Sequence, residues 1–311
     1  MKIEDFKQIK IVSPESQSES QLAESVVGEA RDYLYSLLNQ HGAILFRGFH
    51  LASASKFNKI AQSLLNQLLP YENQTTPRKK VGGNIYTSTE YPNNESIALH
   101  SENSYCDTYT KYILFGSLVV ADKGGQTPIA DNRAIYNFIP DDIRNMFEEK
   151  QLVYIRNYYP HLGLSWQEVF QENDKSKLEE YFEQHHINYR WKPDEGLYVD
   201  QVRPAVIKID ETSSKLWFNQ AHIFHPAALA DSVRQFLSAT YSPDDMPQHC
   251  KFADGIPIEN NMIAEINDAY DKATFSFDWQ LGDFLLMDNR IMSHGRYPYD
   301  GTRKVLVAMS N

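Results

Sequence analysis

His100 and Glu102, separated by Ser101, together with His294 in the segment Met287-Asp288-Asn289-Arg290-Ile291-Met292-Ser293-His294-Gly295-Arg296, are residue types that can hold a metal. In an extended strand alternate side chains share a face, so His100 and Glu102 are expected to reach one ion from the same side while Ser101 points away. The distant His294 would close the site. Two imidazoles and one carboxylate on one face of an octahedron leave three positions open, which suits Fe(II) that must take a bidentate co-substrate and O2. A His-x-Glu triplet alone says little, because an isolated His is more often a surface or hydrogen-bonded core residue than a ligand. The setting is what informs. Ser96-Ile97-Ala98-Leu99 reads as an apolar strand that presents the pair, and residues 282–289 read as a turn, a buried strand and a polar exit shortly before His294.

Arg303 lies nine residues beyond His294 and just ahead of the apolar run Val305-Leu306-Val307-Ala308-Met309. That run reads as a core strand, so a guanidinium at its start can point inward, where its planar, permanently charged fork pairs bidentately with a carboxylate. If the open metal positions take a 2-oxo acid through its C1 carboxylate and C2 ketone, Arg303 would hold the far C5 carboxylate. The competing reading is a solvent-facing arginine at a strand end, which is the expectation for its neighbour Lys304.

Five segments in order across most of the chain extend the pattern: Tyr86-Thr87-Ser88-Thr89-Glu90-Tyr91-Pro92, Leu99-His100-Ser101-Glu102-Asn103-Ser104-Tyr105, Gly124-Gly125-Gln126-Thr127-Pro128-Ile129-Ala130-Asp131, Trp217-Phe218-Asn219-Gln220 and His294-Gly295-Arg296. Together they resemble the taurine dioxygenase (TauD/TfdA) superfamily of Fe(II)/2-oxoglutarate oxygenases, and within it the syringomycin-type amino-acid hydroxylases of nonribosomal-peptide pathways. The resemblance implies a mainly β fold with flanking helices, a double-stranded β-helix (jelly roll, cupin-like). It implies iron at His100, Glu102 and His294, and 2-oxoglutarate at Arg303 and Thr127. It further implies that O2 oxidises 2-oxoglutarate to succinate and CO2 while an unactivated C–H bond of the substrate is attacked. Halogenating relatives have the carboxylate position vacated for chloride, so Glu102 favours hydroxylation or desaturation. Three departures put the substrate in doubt and leave the reaction class alone: Ser101 stands where that branch often has Asn, Tyr109-Thr110-Lys111-Tyr112 lacks a proline, and Phe115-Gly116-Ser117 lacks a cysteine.

A chain of 311 residues can bury a substantial core as a single oxygenase domain over 1–311. Its formal charge of −11 argues against nucleic acid, which needs a basic face to displace counterions. Arg78-Lys79-Lys80 is the only compact basic cluster and reads as a solvated loop. Cys106 and Cys250, the only cysteines, define neither a disulfide framework nor a zinc site and suit a reducing compartment. With no apolar leader at the start and no run of about 18 apolar residues, the expected location is cytoplasmic, with no membrane partner.

Residues 14–22 read as a polar loop, and Leu22 to Asn39 as one amphipathic helix with Ser20 as its cap. His41 to Phe49 reads as a glycine-bounded strand, 53–68 as a helix, and 81–135 as the β-rich first half of the barrel. The region 136–190 carries helical stretches, notably Leu178 to His186, and an insertion over about 136–205 is the expected substrate lid. Its Arg156, Tyr158, Tyr159 and Trp166 are open to two readings, a cavity lining or a small core of their own.

Other constellations carry less. His222 and His225 would place their rings on opposite faces of an extended run, His185-His186 sits on the polar helix, and Cys106-Asp107 has no positioned His to make a nucleophile. The resemblance suggests an amino-acid substrate, free or as an aminoacyl thioester on a carrier protein. Carrier domains are usually acidic, and the chain's own negative charge tilts the reading towards a free amino acid or small zwitterion. Arg203, Asn219, Gln220 and Arg156 are the candidates to bind it. Two other classes stay in view: a catalytically silent scaffold of the same fold, disfavoured by the intact triad and Arg303, and a zinc hydrolase, in which Thr127 and Arg303 would have no task.

Overall fold

The computed structural model describes residues 1–70, 79–88, 91–209 and 213–311, which leaves Arg78, Thr89 and Glu90 of the segments above outside the described residues. Its frame is an eight-stranded sheet in the order Lys2–Phe6, Ile9–Ser13, Ala43–Phe46, Phe284–Asp288, Tyr112–Val119, Lys304–Ser310, Ile85–Thr87, Lys80–Gly82. Neighbours run antiparallel except Ile9–Ser13 beside Ala43–Phe46. A four-stranded sheet of Thr274–Phe275, Ile129–Asp131, Met292–Arg296 and Ile97–His100 packs over it. The fold is mainly β with several helices, a double-stranded β-helix of the jelly-roll, cupin-like kind.

Strand alternation explains why the central strands are apolar throughout. Leu45, Ile113, Phe115, Leu285, Met287, Val305 and Val307 point between the two sheets and meet Ile129 and Met292. Ile44, Phe46, Leu114, Phe284, Leu286 and Leu306 point outward and are covered by Val27, Leu34, Leu38, Phe57 and Ile60 of the N-terminal helices. At Gly116 a side chain has no room, since a Cβ there would lie 2.5 Å from the Phe57 ring.

The N-terminal helical region departs from the expected single helix. The chain bends at Ala30 into Ala23–Glu29, which packs on Ala54–Leu64, and Arg31–His41, which packs on the strand Ala43–Phe46. Ser20 is no cap; its hydroxyl donates to the Gly48 carbonyl at 2.7 Å. Ser16 caps instead a short helix, Gln17–Gln21, within the segment expected as loop.

The insertion is less helical than expected. Helices Asp141–Lys150, Trp166–Phe170 and Lys175–Gln184 alternate with strands Leu152–Tyr158, Asn188–Trp191 and Leu197–Arg203, and the strand Gln248–Phe252 joins these in a separate four-stranded sheet. Leu178 and Phe182 of the helix read as exposed are buried against Tyr158, Trp166 and Val199. Tyr158 and Trp166 thus belong to a small core, and the half-buried Tyr159 lies outside it.

Candidate functional site

The strand Ile97–His100 ends on its histidine, so strand alternation is not what brings Glu102 beside it. Glu102 opens a turn closed by Ser104 N–H donating to the Ser101 carbonyl (3.3 Å) and Cys106 N–H to that of Asn103 (2.8 Å), with Asn103 in the left-handed region. The turn swings the carboxylate back over the strand end. His294 stands directly opposite His100 in the paired strand. One ligand atom from each of His100, Glu102 and His294 falls within 4.8 Å of the others. The His100 Nε2 lies 3.8 Å from Glu102 Oε2, and the two imidazole centroids are 4.6 Å apart. His100 Nδ1 bonds the Ala98 carbonyl at 2.8 Å, which puts the ring proton there and leaves the Nε2 lone pair facing the carboxylate. Gly295 lets the two histidine strands approach, because a Cβ on it would meet the Ile97 carbonyl oxygen at 2.5 Å. Two nitrogens and one carboxylate clustered in this way fit a divalent iron.

A polar scaffold that sequence reading missed fixes these ligands. Asn289 accepts the Glu102 N–H (2.7 Å) and donates to the carbonyls of Glu102 (3.0 Å) and Thr110 (2.8 Å). Asp288 and Asn289, expected as a polar exit, are fully buried, and Asp288 pairs with Arg290 at 2.7 Å. Ser101 does point away from the triad: Asn132 donates to its hydroxyl (3.0 Å) and accepts from that of Ser293 (2.6 Å), so one amide ties together the residues beside two ligands. Gln220 Nε2 donates to the Ser101 carbonyl (2.7 Å), and His222 bonds that of Leu99 (2.9 Å). The available signal was Ser101 and Ser293, each adjoining a ligand; Asn289 and Asn132 adjoin none.

His100 and His294 share a cavity with Ser88, Thr127, Arg296 and Arg303. Arg303 is turned inward while Lys304 is exposed. Its Nε donates to the Gly125 carbonyl (3.0 Å), and its terminal nitrogens reach the Ser88 and Thr127 hydroxyls at 3.5 Å. Trp279 Nε1 donates to the same Thr127 hydroxyl at 2.9 Å, fixing its position. Arg303 has no carboxylate partner among the described residues, and burial first, then the neighbouring Arg296 charge, pushes its pKa down to about 10. Arg296 is occupied differently, donating to the carbonyls of Tyr91, Pro92 and Glu95.

The four residues suggested for the substrate divide. Asn219 is fully used in its own turn, donating to the Ala205 carbonyl (2.9 Å) and accepting from Ala221 N–H (3.0 Å). Gln220 supports the ligand loop, as above. Arg156 is buried and Arg203 half-buried, both on the sheet face shared by Tyr154, Gln201 and Cys250. His185, read as a residue of a polar surface helix, caps Lys175–Gln184 and bonds Asp107 at 2.7 Å, so it links the insertion to the ligand loop. Ala221–Phe224 is a helical turn and not an extended run; His225 bonds the Ile258 carbonyl (3.0 Å), so neither it nor His222 joins a metal cluster. Both thiols are free and buried, and burial pushes that of Cys106 up to about 11, away from nucleophilic use.

Residues 9–309 match the family profile described as taurine catabolism dioxygenase TauD, TfdA family. The dapdiamide synthesis protein DdaC of Enterobacter agglomerans is 39% identical over 273 residues, covering 88% of this chain and 83% of DdaC. A clavaminate synthase-like protein of Arabidopsis thaliana is 28% identical over 289 residues, 90% of this chain and 84% of its own. Among solved structures, PvcB of Pseudomonas aeruginosa superposes with a TM-score of 0.56 at 12% identity over 97% of this chain and 85% of that one. AAD-2, in complex with Mn(II) and N-oxalylglycine, gives 0.55 at 16% identity over 99% and 96%. The match over residues 9–309, joined to the His-Glu-His cluster and an arginine with no acid partner among the described residues beside it, establishes that the chain belongs to the TauD/TfdA family and is an Fe(II)/2-oxoglutarate-dependent dioxygenase.

Proposed function

We propose that His100, Glu102 and His294 hold the iron, that Arg303 and Thr127 hold the distal carboxylate of 2-oxoglutarate, and that the chain as a single unit hydroxylates or desaturates an amino acid or amino-acid-derived small molecule in secondary metabolism. The observation that carries this reading is an inward-turned guanidinium with no acid among the described residues, in the same cavity as two of the three ligands. Bound iron would supply the coupling of 2-oxoglutarate oxidation by O2 to attack on a C–H bond. The chain's own part is positioning. The Asn289 clamp and the Ser101-Asn132-Ser293 network hold the ligands in register, Thr127 is oriented by Trp279, and Phe115, edge-on to His294 at 5.1 Å, keeps one side of the cavity apolar.

The name of DdaC, a dapdiamide synthesis protein, supports a biosynthetic role. A carrier-tethered aminoacyl group is the second reading. The insertion would act as the lid, with the His185–Asp107 bond as its contact to the ligand loop. Two free thiols fit the cytoplasm, and among the described residues no helix is long and apolar enough to cross a membrane. Anaerobic addition of Fe(II) and 2-oxoglutarate tests the reading: a visible metal-to-ligand charge-transfer band is expected. Succinate should then form faster with one member of a panel of free amino acids, or only with an aminoacyl carrier protein if the second reading holds. No band, with the chain folded, would sink both.

A further inference from the structure

Arg156 is the most thoroughly buried arginine outside the cavity just described, at 4% exposure. It lies in the strand Leu152–Tyr158, opposite Val199 and Gln248 in the flanking strands. A guanidinium offers five N–H donors, and in a folded chain a buried one is normally matched by carbonyls or a carboxylate. Among the described residues no hydrogen bond or ion pair reaches Arg156, and its Nη1 is wholly sequestered without an acceptor. Its only protein contacts of that strength are two ring faces, Tyr105 at 5.3 Å and Phe170 at 5.7 Å. Such faces steer a cation but satisfy none of its donors.

Arg156 lines a cavity of about 210 Å³ whose wall is apolar at Leu164, Val169, Phe224 and Leu237 and polar at Asn157, His225 and Gln248, with a Tyr158 hydroxyl that is also without a partner among the described residues. Two residues of its wall, Arg156 and Phe224, touch Tyr105 of the iron-ligand loop. Tyr105, over which Arg156 is stacked, is three residues from Glu102, and the thiol of Cys106 feels the charges of both Arg156 and Glu102. Phe224 closes the same corner, 5.1 Å from Tyr105.

We infer that Arg156 receives the free carboxylate of the substrate, whose apolar portion lies along the cavity wall. This rests on the amino-acid reading above and sharpens it: the substrate enters as a free acid, since a thioester brings no charge to match the cation. Arg203, only half-buried at the end of the neighbouring strand, is a weaker anchor.

The test is a thermal-shift series on the full chain with the proteinogenic L-amino acids and each one's carboxamide, run on wild type, Arg156→Met and Arg203→Met. At least one acid should raise the wild-type Tm while its carboxamide does not. Arg156→Met should need about a hundredfold more of that acid for the same shift. Its own Tm without ligand should stay near that of wild type, because the cation it removes makes no hydrogen bond and has only two ring faces to offset its burial. The inference is overturned if no acid moves the wild type, if acid and amide act alike, if Arg156→Met melts well below wild type, or if Arg203→Met alone abolishes the response. The anaerobic Fe(II)/2-oxoglutarate band separates this from the reading beneath it: present in wild type and Arg156→Met, it leaves the iron site standing whatever the acids do.

Discussion

Replacing Arg303 by methionine should make the ligand-free chain more stable and the co-substrate much weaker. The guanidinium is pushed from an ordinary 12.5 down to about 10, first by burial and then by Arg296. At about 1.4 kcal/mol per pH unit, that is a burden of roughly 3 kcal/mol on the folded chain. The folded chain holds this proton less tightly than the unfolded one, so the burden is full at every pH below about 10 and fades as pH rises beyond it. Arg303→Met removes it and also gives up the bond to the Gly125 carbonyl, worth about 1 kcal/mol, for an expected net gain of about 1–2 kcal/mol. The 2-oxoglutarate carboxylate then loses its partner at a cost of about 3–5 kcal/mol, or roughly two to three and a half orders of magnitude in affinity. Urea unfolding of the metal-free chain reads the first effect, and anaerobic titration of the Fe(II)-loaded chain with 2-oxoglutarate, followed by its charge-transfer absorbance, reads the second. Lys304→Met, at an exposed position, should move either by no more than about 0.5 kcal/mol. Equal losses of affinity at 303 and 304, a larger loss at Arg296, or an Arg303→Met chain that is less stable yet binds 2-oxoglutarate normally would refute the assignment.

His100→Ala and Glu102→Ala should each abolish succinate formation while circular dichroism and Tm stay near wild type; turnover at the wild-type rate with excess Fe(II) would remove that residue from the metal site. Asn289→Ala strands the buried Glu102 N–H and two carbonyls, so urea unfolding should show a loss of about 3 kcal/mol or more. Fe(II) affinity in the same variant should fall roughly ten- to a hundredfold, measured by competition with a chelator, and unchanged affinity would show that the clamp does not position Glu102. His249 is held neutral down to about pH 4, chiefly by burial and then by the nearby His225 charge. The unfolded chain therefore takes up a proton that the folded chain refuses between about pH 6.5 and 4, and stability should drop across that window by up to roughly 3 kcal/mol for this residue. His249→Phe should flatten the decline in pH-dependent urea curves, and an identical slope would exclude His249 as its source.

The parts legible in the sequence are those set by local pattern. Apolar runs end at His100, precede His294 and follow Arg303, whose inward side chain, just ahead of the strand Lys304–Ser310, is held by Gly125, Ser88 and Thr127. Glu102 reached the triad for a different reason, since two hydrogen bonds and the left-handed Asn103 make a turn where the spacing suggested a continuing strand. Asn289 and Asn132 act through partners 187 and 31 residues away, and no periodicity carries such information. The insertion's sheet was hidden for the same cause: Leu152–Tyr158 finds its second neighbour in Gln248–Phe252, almost a hundred residues on, while the intervening Lys175–Gln184 has a helical pattern strong enough to colour the whole segment.

Arg303 and Arg156 gain meaning from what surrounds them. The chain has 41 acidic residues against 30 basic ones, so a cation left without an acid does not reflect a shortage of acids. On the surface the pairs form readily, as between Lys150 and Asp254 at 2.6 Å or Lys175 and Glu195 at 2.7 Å. These exposed pairs are worth little to stability, whereas among the described residues Arg156 and the inward-turned Arg303, where pairing would matter more, have no acid. One shares its cavity with His100 and His294, and the other stacks on the ring three residues past Glu102. A fold that tolerates two such costs beside one metal cluster is least stable when empty. Each anion that enters offsets part of the cost, so 2-oxoglutarate and an acidic substrate group would each tighten the same ligand loop. The net charge of −11 repels both at long range, but within a Debye length of about 8 Å the local arginines dominate, and selection of anions falls to the cavities themselves.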